Sequence, residues 1–194
     1  GDLNGTSTNG GSHQIKVPIV RLDEFLADTQ EIGKGGIVNQ GNWQQQLEDN
    51  KNLFTAAFVQ RGPFITAFPT SLTPSQFVNQ LFNNAGVSPT AAENNAAINE
   101  FGGAPDTTDL AARGRALRRV AETESFRQQE FNRAFVLMEY FGYLRRNPND
   151  TPDPDYSGFD FWLTKLNQFG GSFIDAEMVK AFISSIEYRT RFAP

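Results

Sequence analysis

The sequence predicts an all-α protein, a multi-helix bundle built from two diverged helical repeats and preceded by an extended N-terminal arm. Three observations lead to this fold class. From Trp43 onward, apolar residues recur with the period of about 3.6 residues that is typical of amphipathic helices. Dipeptides that begin helices, such as Thr73-Pro74, stand between the apolar stretches. Only one short segment, close to the N-terminus, alternates in polarity as a strand does.

Residues 1–20 are predicted to be a linker and an extended arm. Residues 1–12 are rich in Gly, Ser, Thr and Asn, which is typical of flexible linkers. Residues 13–20 alternate in polarity and contain Pro18, which cannot donate a backbone hydrogen bond to a sheet. This arm is predicted to contact a neighbouring chain in an extended conformation. Its predicted interaction residues are Ile15, Val17, Ile19 and Val20.

Seven or eight helices are predicted after the arm. Residues 22–27 form a single helical turn, and residues 31–41, which include four glycines, form a loop. The longer helical segments that follow are 43–59, 71–85, 88–101, 109–125, 130–145, 159–169 and 175–188. Thr73 is the predicted N-cap of the second of these segments, and Gly86 lies just past its last turn.

The predicted repeat has its second copy in the last sixty residues. Trp162 and Tyr188 mark the two helices of this copy, and Phe77 and Phe126 take their places in the first copy. Each copy has one aromatic face that is too small to be buried alone, so the two faces are predicted to pack together. The copies cover about residues 43–131 and 132–194.

Composition argues against several classes of function. The net charge of −5 provides no global field that would attract nucleic acid or anionic lipid. No apolar run approaches the roughly 20 residues that span a bilayer, so no membrane insertion is expected. The chain has no Cys, and its single His, His13, lies in the arm, which leaves the helices without a Ser-His-Asp triad or a multi-His zinc site. No catalytic, cofactor-binding or metal-binding residue is predicted, and the chain is expected not to be an enzyme.

The loop from Asn147 to Gly158 contains the densest cluster of side-chain oxygens. Calcium prefers about six to eight oxygen ligands. The carboxylates of Asp150, Asp153 and Asp155 could supply some of them. The loop lacks the bidentate Glu of a calcium-binding loop and is stiffened by prolines. The alternative is a turn in which Ser157 or Asp160 caps the next helix. The sequence leaves calcium binding at this loop open.

A set of basic residues lies along the predicted helix 109–125: Arg113, Arg115, Arg118 and Arg119, with Arg127 just beyond. Such a face could bind phosphate or acidic polysaccharide. Glu122, Glu124 and Glu130 lie three or four residues from these arginines and would neutralise them locally. The spacing therefore favours a solvated helix face.

Trp43 and Trp162 are candidate platforms for stacking on sugars. Both stand within apolar helical stripes, which favours burial in the core. Trp162, Leu166 and Phe169 are spaced i, i+4 and i+7, so they are predicted to form the buried face that anchors the C-terminal copy. The side chains predicted to pack on this face are Phe135, Met138, Phe141, Leu144, Val179, Phe182 and Ile186.

Four segments carry a resemblance to a known family: Phe135 to Pro148, Gly158 to Leu163, Val179 to Phe182, and Glu187 to Phe192. They resemble a small all-helical domain-of-unknown-function family. Its members lie at the C-terminal end of large secreted and cell-surface proteins of Acidobacteria-like bacteria, and the family is distantly reminiscent of phycobilisome linker domains. The resemblance implies an extracellular or cell-surface location and a role in assembly. The family has no established active site, so it implies no catalytic residue.

The predicted function is therefore a non-catalytic extracellular structural or interaction module that self-associates or joins a bacterial surface assembly. Its expected partners are other copies of itself or other surface proteins, and not nucleic acid. The alternative is a polysaccharide- or matrix-binding module that uses an exposed aromatic residue with Arg or Asp nearby. Exposure of the two tryptophans distinguishes these hypotheses, since a buried ring cannot stack on a sugar.

Overall fold

The structure, a computed structural model, describes residues 19–192. These residues contain ten α-helices and no strand, and 66% of them are helical. The predicted all-α class is confirmed. Ile15 and Val17, with the rest of the predicted arm before Ile19, lie outside the described residues. Within the described range, no helix is both long enough and apolar enough to cross a membrane.

The helices follow one another with short connections. In chain order they are α1 (Leu22–Gly33), α2 (Trp43–Phe58), α3 (Gly62–Ala67), α4 (Pro74–Ala85), α5 (Ala91–Asn99), α6 (Leu110–Ala121), α7 (Glu124–Glu139), α8 (Ser157–Gln168), α9 (Met178–Ser184) and α10 (Ile186–Phe192). A π-helical segment, Tyr140–Leu144, continues α7 directly. The single turn predicted over residues 22–27 is thus a helix of 12 residues.

The chain divides into two compact units. One contains residues 26–127 and is called the inserted unit. The other, called the flanking unit, contains the described residues 19–25 together with 128–192. The chain passes between the units within α1 and again within α7. That the stretches of about residues 43–131 and 132–194 are two diverged copies of one helical repeat stays a prediction.

The inserted unit is organised around α6, which packs against α2, α4 and α5. A Cβ atom on Gly114 of α6 would lie 3.0 Å from the backbone N and Cα of Ala56, so glycine permits the close approach of α6 to α2. A chain of aromatic rings fills the core, with centroid distances from 4.6 to 6.2 Å. Its members are Phe64, Phe68, Phe77 and Phe101. Their mostly edge-to-face contacts add to the free energy of simple apolar burial.

The ends of α4 match the sequence prediction. Thr73 caps the helix, and its hydroxyl and the Gln76 side chain form a reciprocal capping box. Gly86 adopts the left-handed conformation at the C-cap with φ of 64°. The predicted start of the next helix at Ser88 is wrong by two residues, because Thr90 and Glu93 form a second capping box there.

The flanking unit has its own core, formed by α7, the π-helical segment, α8, α9 and residue Ile19. Ile19 is buried in this core and Val20 packs against it. The other buried apolar side chains are Val136, Leu137, Tyr140, Phe141, Leu144, Tyr156, Phe159, Leu163, Leu166, Ala176, Met178 and Phe182. The described end of the N-terminal arm therefore packs with the last third of the chain.

A threonine begins α7 where the sequence predicted the end of a helix. The helix predicted over 109–125 stops at Ala121. The Thr123 hydroxyl accepts a hydrogen bond from the Phe126 N–H at 3.3 Å and donates one to the Val120 carbonyl at 2.9 Å. The hydroxyl thus satisfies one group of each adjoining helix, which explains why a single helix does not form.

Ser185 forms the same arrangement in the flanking unit. Its hydroxyl accepts from the Tyr188 N–H at 3.1 Å and donates to the Phe182 carbonyl at 2.7 Å. Because Ser185 is extended, with φ of −62° and ψ of 150°, the predicted helix 175–188 is in fact the two short helices α9 and α10. Thr123 and Ser185 are also the positions at which the predicted repeat aligns its two copies.

Candidate functional site

The loop from Asn147 to Gly158 closes around a buried arginine, Arg146. Arg145 ends the π-helical segment in the left-handed conformation, with φ of 55°, and Arg146 follows it into the interior. The Arg146 Nε donates to Oε1 of Glu187 at 2.7 Å, and its Nη2 donates to Oε2 of Glu187 at 3.0 Å. The same Nη2 donates to Oδ2 of Asp153 at 2.7 Å. One guanidinium therefore joins the loop to α10 through two carboxylates.

The remaining donors of Arg146 bind the backbone of the loop. Its Nη1 lies within hydrogen-bonding distance of the carbonyl oxygens of Asn147, Pro148 and Asp150, at 3.0, 3.2 and 3.1 Å. Burial alone would lower the pKa of Arg146, but the ion pairs with Glu187 and Asp153 outweigh it and raise the pKa. The side chain thus stays charged and holds the loop by charge-assisted hydrogen bonds.

The loop oxygens that suggested calcium are engaged within the protein. Oδ1 of Asp150 accepts from Arg21 at 3.0 Å, and Oδ2 accepts from the backbone and side-chain nitrogens of Asn147. Asp155 accepts from the Ser157 N–H at 2.8 Å. In the part of the chain that the structure describes, no three acidic or His side chains come together as metal ligands. The positive charge at the centre of the loop is the guanidinium of Arg146.

The predicted cap of α8 is wrong. The helix begins at Ser157, and the N-cap residue, Tyr156, makes no side-chain capping hydrogen bond. Asp155, one residue earlier, binds the N–H of Ser157 instead. Neither Ser157 nor Asp160 occupies the N-cap position, because the loop enters the helix earlier than the sequence indicated.

The start of the chain's described part is tied to the same loop. The Arg21 guanidinium donates to Oδ1 of Asn149 at 2.8 Å and to Oδ1 of Asp150 at 3.0 Å. The backbone N–H of Leu22 donates to Oδ1 of Asn147 at 2.8 Å. With Ile19 buried next to them, these contacts make residues 19–22 part of the flanking unit. Of the four predicted interaction residues, the two that are described pack within their own chain.

A cleft of about 210 Å³ lies beside the Arg146 network, with Trp162 at its edge. Trp162 is half-buried, and its ring lies 5.5 Å from the Phe182 ring and 5.1 Å from the Phe161 ring. The Lys165 ammonium lies over the same ring at 5.2 Å. Trp43 is half-buried as well. Neither tryptophan is fully enclosed, but the ring of Trp162 is already surrounded by neighbouring side chains.

The buried face of α8 is different from the predicted one. Phe159, Leu163 and Leu166 are buried, with 2%, 1% and 0% of their surface exposed, whereas Phe169 is 46% exposed. Both sets of residues are spaced i, i+4 and i+7 and share Leu166, so periodicity alone cannot choose between them. The half-buried Trp162 borders the core and is not its centre. The prediction that Ile186 packs on this face is also wrong, since Ile186 is exposed.

The predicted basic face is partly correct. Arg115 and Arg119 are exposed and share Glu100, with Nε to carboxylate distances of 2.9 and 2.8 Å. Arg118 pairs with Glu122 at 3.1 Å and also with Glu48. Hydrogen bonds from Lys51 and then Arg118 lower the pKa of Glu48 to about 2. Sequence spacing located Glu122, but it could not reveal Glu48 and Glu100, which come from elsewhere in the inserted unit.

Arg113 does not belong to that face. Its side chain is fully buried, with 0% of its surface exposed. Its Nη1 donates to Oγ1 of Thr107 at 2.8 Å, and its Nη2 donates to the Phe68 carbonyl at 2.6 Å. The guanidinium lies 4.5 Å from the centre of the Phe77 ring. The burial of Arg113 could not be predicted from the sequence, because arginine at a helical spacing is usually exposed.

One buried carboxyl group, that of Glu139, has an oxygen atom without a hydrogen-bond partner among the described residues. Glu139, the last residue of α7, has 5% of its surface exposed, and its Oε2 finds no hydrogen-bond partner within residues 19–192. Loss of hydration disfavours the charged form and raises the pKa of Glu139 to about 7. Glu139 does not line any of the clefts of the flanking unit named in this section. Its burial therefore destabilises the fold when the carboxyl group is charged.

The flanking unit exposes many large apolar side chains. They form what we call the apolar surface of the flanking unit: Phe131, Phe161, Phe169, Phe173, Ile174, Ile183, Ile186 and Phe192. Ile186 and Ile174 are the most exposed, at 84% and 73%. A shallow groove of about 540 Å³ lies beside Ile186, lined also by Pro152, Thr190 and Arg191. Phe169 and Ile186 were predicted to be core residues, and their exposure is a correction.

Comparison of the chain with protein-family models, with curated proteins and with solved structures finds no match.

Proposed function

We propose that this chain is a non-catalytic interaction module that self-associates through the apolar surface of the flanking unit. The observation that carries the proposal is the exposure of eight large apolar side chains within residues 128–192. Large contiguous apolar patches mark interaction sites in soluble proteins. A second copy of the chain offers the same apolar chemistry, and a two-fold arrangement brings each surface against its equivalent.

The charged groups of the molecule support a structural role. Arg146, Asp153 and Glu187 bind one another, and the exposed arginines of α6 are paired with Glu48, Glu100 and Glu122. Groups that are paired in this way hold loops and helices in place. The proposed location at a bacterial surface rests on the family resemblance of the sequence alone.

Polysaccharide binding is the second candidate, and we place it below self-association. Its support is the partial exposure of Trp162 at the edge of a cleft that contains Asp153 and Glu187. Against it, the ring of Trp162 is contacted by Lys165, Phe161 and Phe182, which limits the ring surface left for a sugar.

Sedimentation equilibrium of the protein with Ile174→Lys and Ile186→Lys tests the proposal. Both side chains are so exposed that their replacement leaves the core intact, yet each puts a charge into the proposed interface. We expect the wild type to associate with increasing concentration and the double variant to associate at least about tenfold more weakly, because burying a charge opposes the gain from apolar burial.

The matched control is Val38→Lys, which changes a residue of the inserted unit that is 67% exposed. This variant should associate as the wild type does. A wild type that stays monomeric at every concentration contradicts the proposal, as does a control that weakens association equally.

A further inference from the structure

The flanking unit contains a second cleft, of about 210 Å³, on the side of α7 that faces α8 and residues 19–20. Its walls are apolar and are formed mainly by Ile19, Leu137 and Phe159, all of which are buried. Two charged side chains, Glu130 and Arg133, also line it. Nothing described above gives this cleft a role in self-association.

Arg133 is nine-tenths buried and is incompletely paired. Its closest ion pair joins Nε to Oε2 of Glu130 at 3.3 Å, which is longer than the roughly 2.7–2.9 Å of a good charge-assisted hydrogen bond. Its Nη1 is shielded from solvent and has no hydrogen-bond partner among residues 19–192. By contrast, every nitrogen of the Arg146 guanidinium has an acceptor. Within residues 19–192, the desolvation of Arg133 is therefore only partly compensated.

The apolar walls of the cleft and its incompletely paired guanidinium determine the class of molecule that fits it. A planar guanidinium that lines the cleft and is incompletely paired matches a carboxylate, which can accept hydrogen bonds from it. The walls formed by Ile19, Leu137 and Phe159 match a short apolar body. A phosphate dianion fits less well, because Glu130 places a negative charge at the rim, where its side chain is 26% exposed.

We propose that this cleft binds a small carboxylic acid with a short apolar body. The carboxylate accepts hydrogen bonds from the Arg133 guanidinium, and the apolar body lies against Ile19, Leu137 and Phe159. The site shares no residue with the apolar surface of the flanking unit, and its ligand need not affect association of the chain.

Titration with hexanoate, followed by the amide resonances of the isotope-labelled protein, tests the site. Hexanoate should cause saturable shifts at Val20, Ala134 and Leu137. Hexanamide has the same apolar body without the charge and should bind at least about tenfold more weakly. Absence of saturable shifts with hexanoate, or equal binding of hexanamide, overturns the proposal.

Two variants assign the binding to the guanidinium. Arg133→Met removes the donors and should weaken hexanoate binding at least about tenfold, whereas Arg127→Met changes an exposed arginine of the same helix and should leave it unchanged. Glu130→Gln removes the like charge and frees Nε, so it should tighten binding several-fold. If Arg133→Met does not fold, Glu130→Gln decides, and binding that is unchanged or weaker in this variant overturns the proposal.

Discussion

Each unit of the molecule contains a buried arginine that binds backbone carbonyls, but the two arginines are neutralised differently. Arg146 in the flanking unit forms ion pairs with Asp153 and Glu187. Arg113 in the inserted unit binds a hydroxyl, a carbonyl and the face of the Phe77 ring, and it has no carboxylate partner within the described chain. Burial consequently lowers the pKa of Arg113, whereas ion pairing raises that of Arg146.

The difference shows two ways to place a cation in a helical core. In the flanking unit the charge connects three separate segments, so removing it leaves two carboxylates without their partner. In the inserted unit the charge is accommodated by neutral dipoles and aromatic faces, so an apolar side chain of similar length leaves three neutral acceptors unpaired, two on Thr107 and the Phe68 carbonyl. The first arrangement couples segments strongly, and the second tolerates replacement.

The largest expected effect is that of Arg146→Met. This change should lower the free energy of unfolding by about 3–5 kcal/mol, because Asp153, Glu187 and three carbonyl oxygens lose a buried partner. Arg113→Met should cost only about 1–2 kcal/mol, because the loss of hydrogen bonds to Thr107 and Phe68 is offset by removal of a buried charge. Urea unfolding followed by circular dichroism measures both values. The comparison fails if Arg113→Met is as destabilising as Arg146→Met.

The next largest effect is a dependence of stability on pH, which we expect from Glu139 of the flanking unit and not from Arg113 of the inserted unit. The pKa of Glu139 is about 7 in the folded flanking unit, whereas the unperturbed pKa of a glutamate side chain is 4.5. A raised pKa of an acid means that its stabilising contribution is complete below pH 4.5 and is lost as the pH rises through 7. The loss amounts to at most about 3 kcal/mol. Arg113 of the inserted unit stays charged throughout this range.

Glu139→Gln removes this titration. The variant should match the wild type near pH 4 and should be more stable than the wild type above pH 7. Melting temperatures of the two proteins, measured across this range, give the comparison. Parallel pH profiles would show that Glu139 does not titrate between these values.

The smallest effect tests how closely the helices pack. In Gly114→Ala the new Cβ atom lies 3.0 Å from the Ala56 backbone, which cannot move aside easily, and we expect a loss of about 1–3 kcal/mol. Gly142→Ala in the flanking unit meets open space and should be neutral or stabilising by up to about 1 kcal/mol. Thermal unfolding of both variants checks this. An equal loss in both would mean that close packing is not specific to the inserted unit.

The sequence predicted the elements whose signals are local. The all-α class and the ends of α4 follow from the apolar period and from Thr73 and Gly86, which act on neighbouring residues only. The helix starts at Thr123 and Ser185 carry a local signal too, since both hydroxyl residues are good N-caps, but the apolar stripes on either side suggested continuous helices. Local signals were therefore useful wherever two of them did not compete.

The candidate sites depended on contacts between distant parts of the chain. Arg113 and Arg146 look like solvent-exposed residues in sequence, because their burial is made possible by partners up to 45 residues away. The exposure of Ile186 follows from the break at Ser185, and the choice between Trp162 and Phe159 depends on the rotation of α8 about its axis. Periodicity gives the spacing of a buried face, but the neighbouring helices determine which face it is.

The discontinuity of the flanking unit has a consequence for the order of folding. Contacts that complete this unit join Arg21 to Asn149 and Leu22 to Asn147, with sequence separations of 128 and 125 residues. Closing so long a loop has a high entropic cost unless the intervening chain is already compact. During synthesis, residues 26–127 precede residue 147, so the inserted unit can fold before the flanking unit is complete. The N-terminal segment and the last third of the chain then complete the flanking unit.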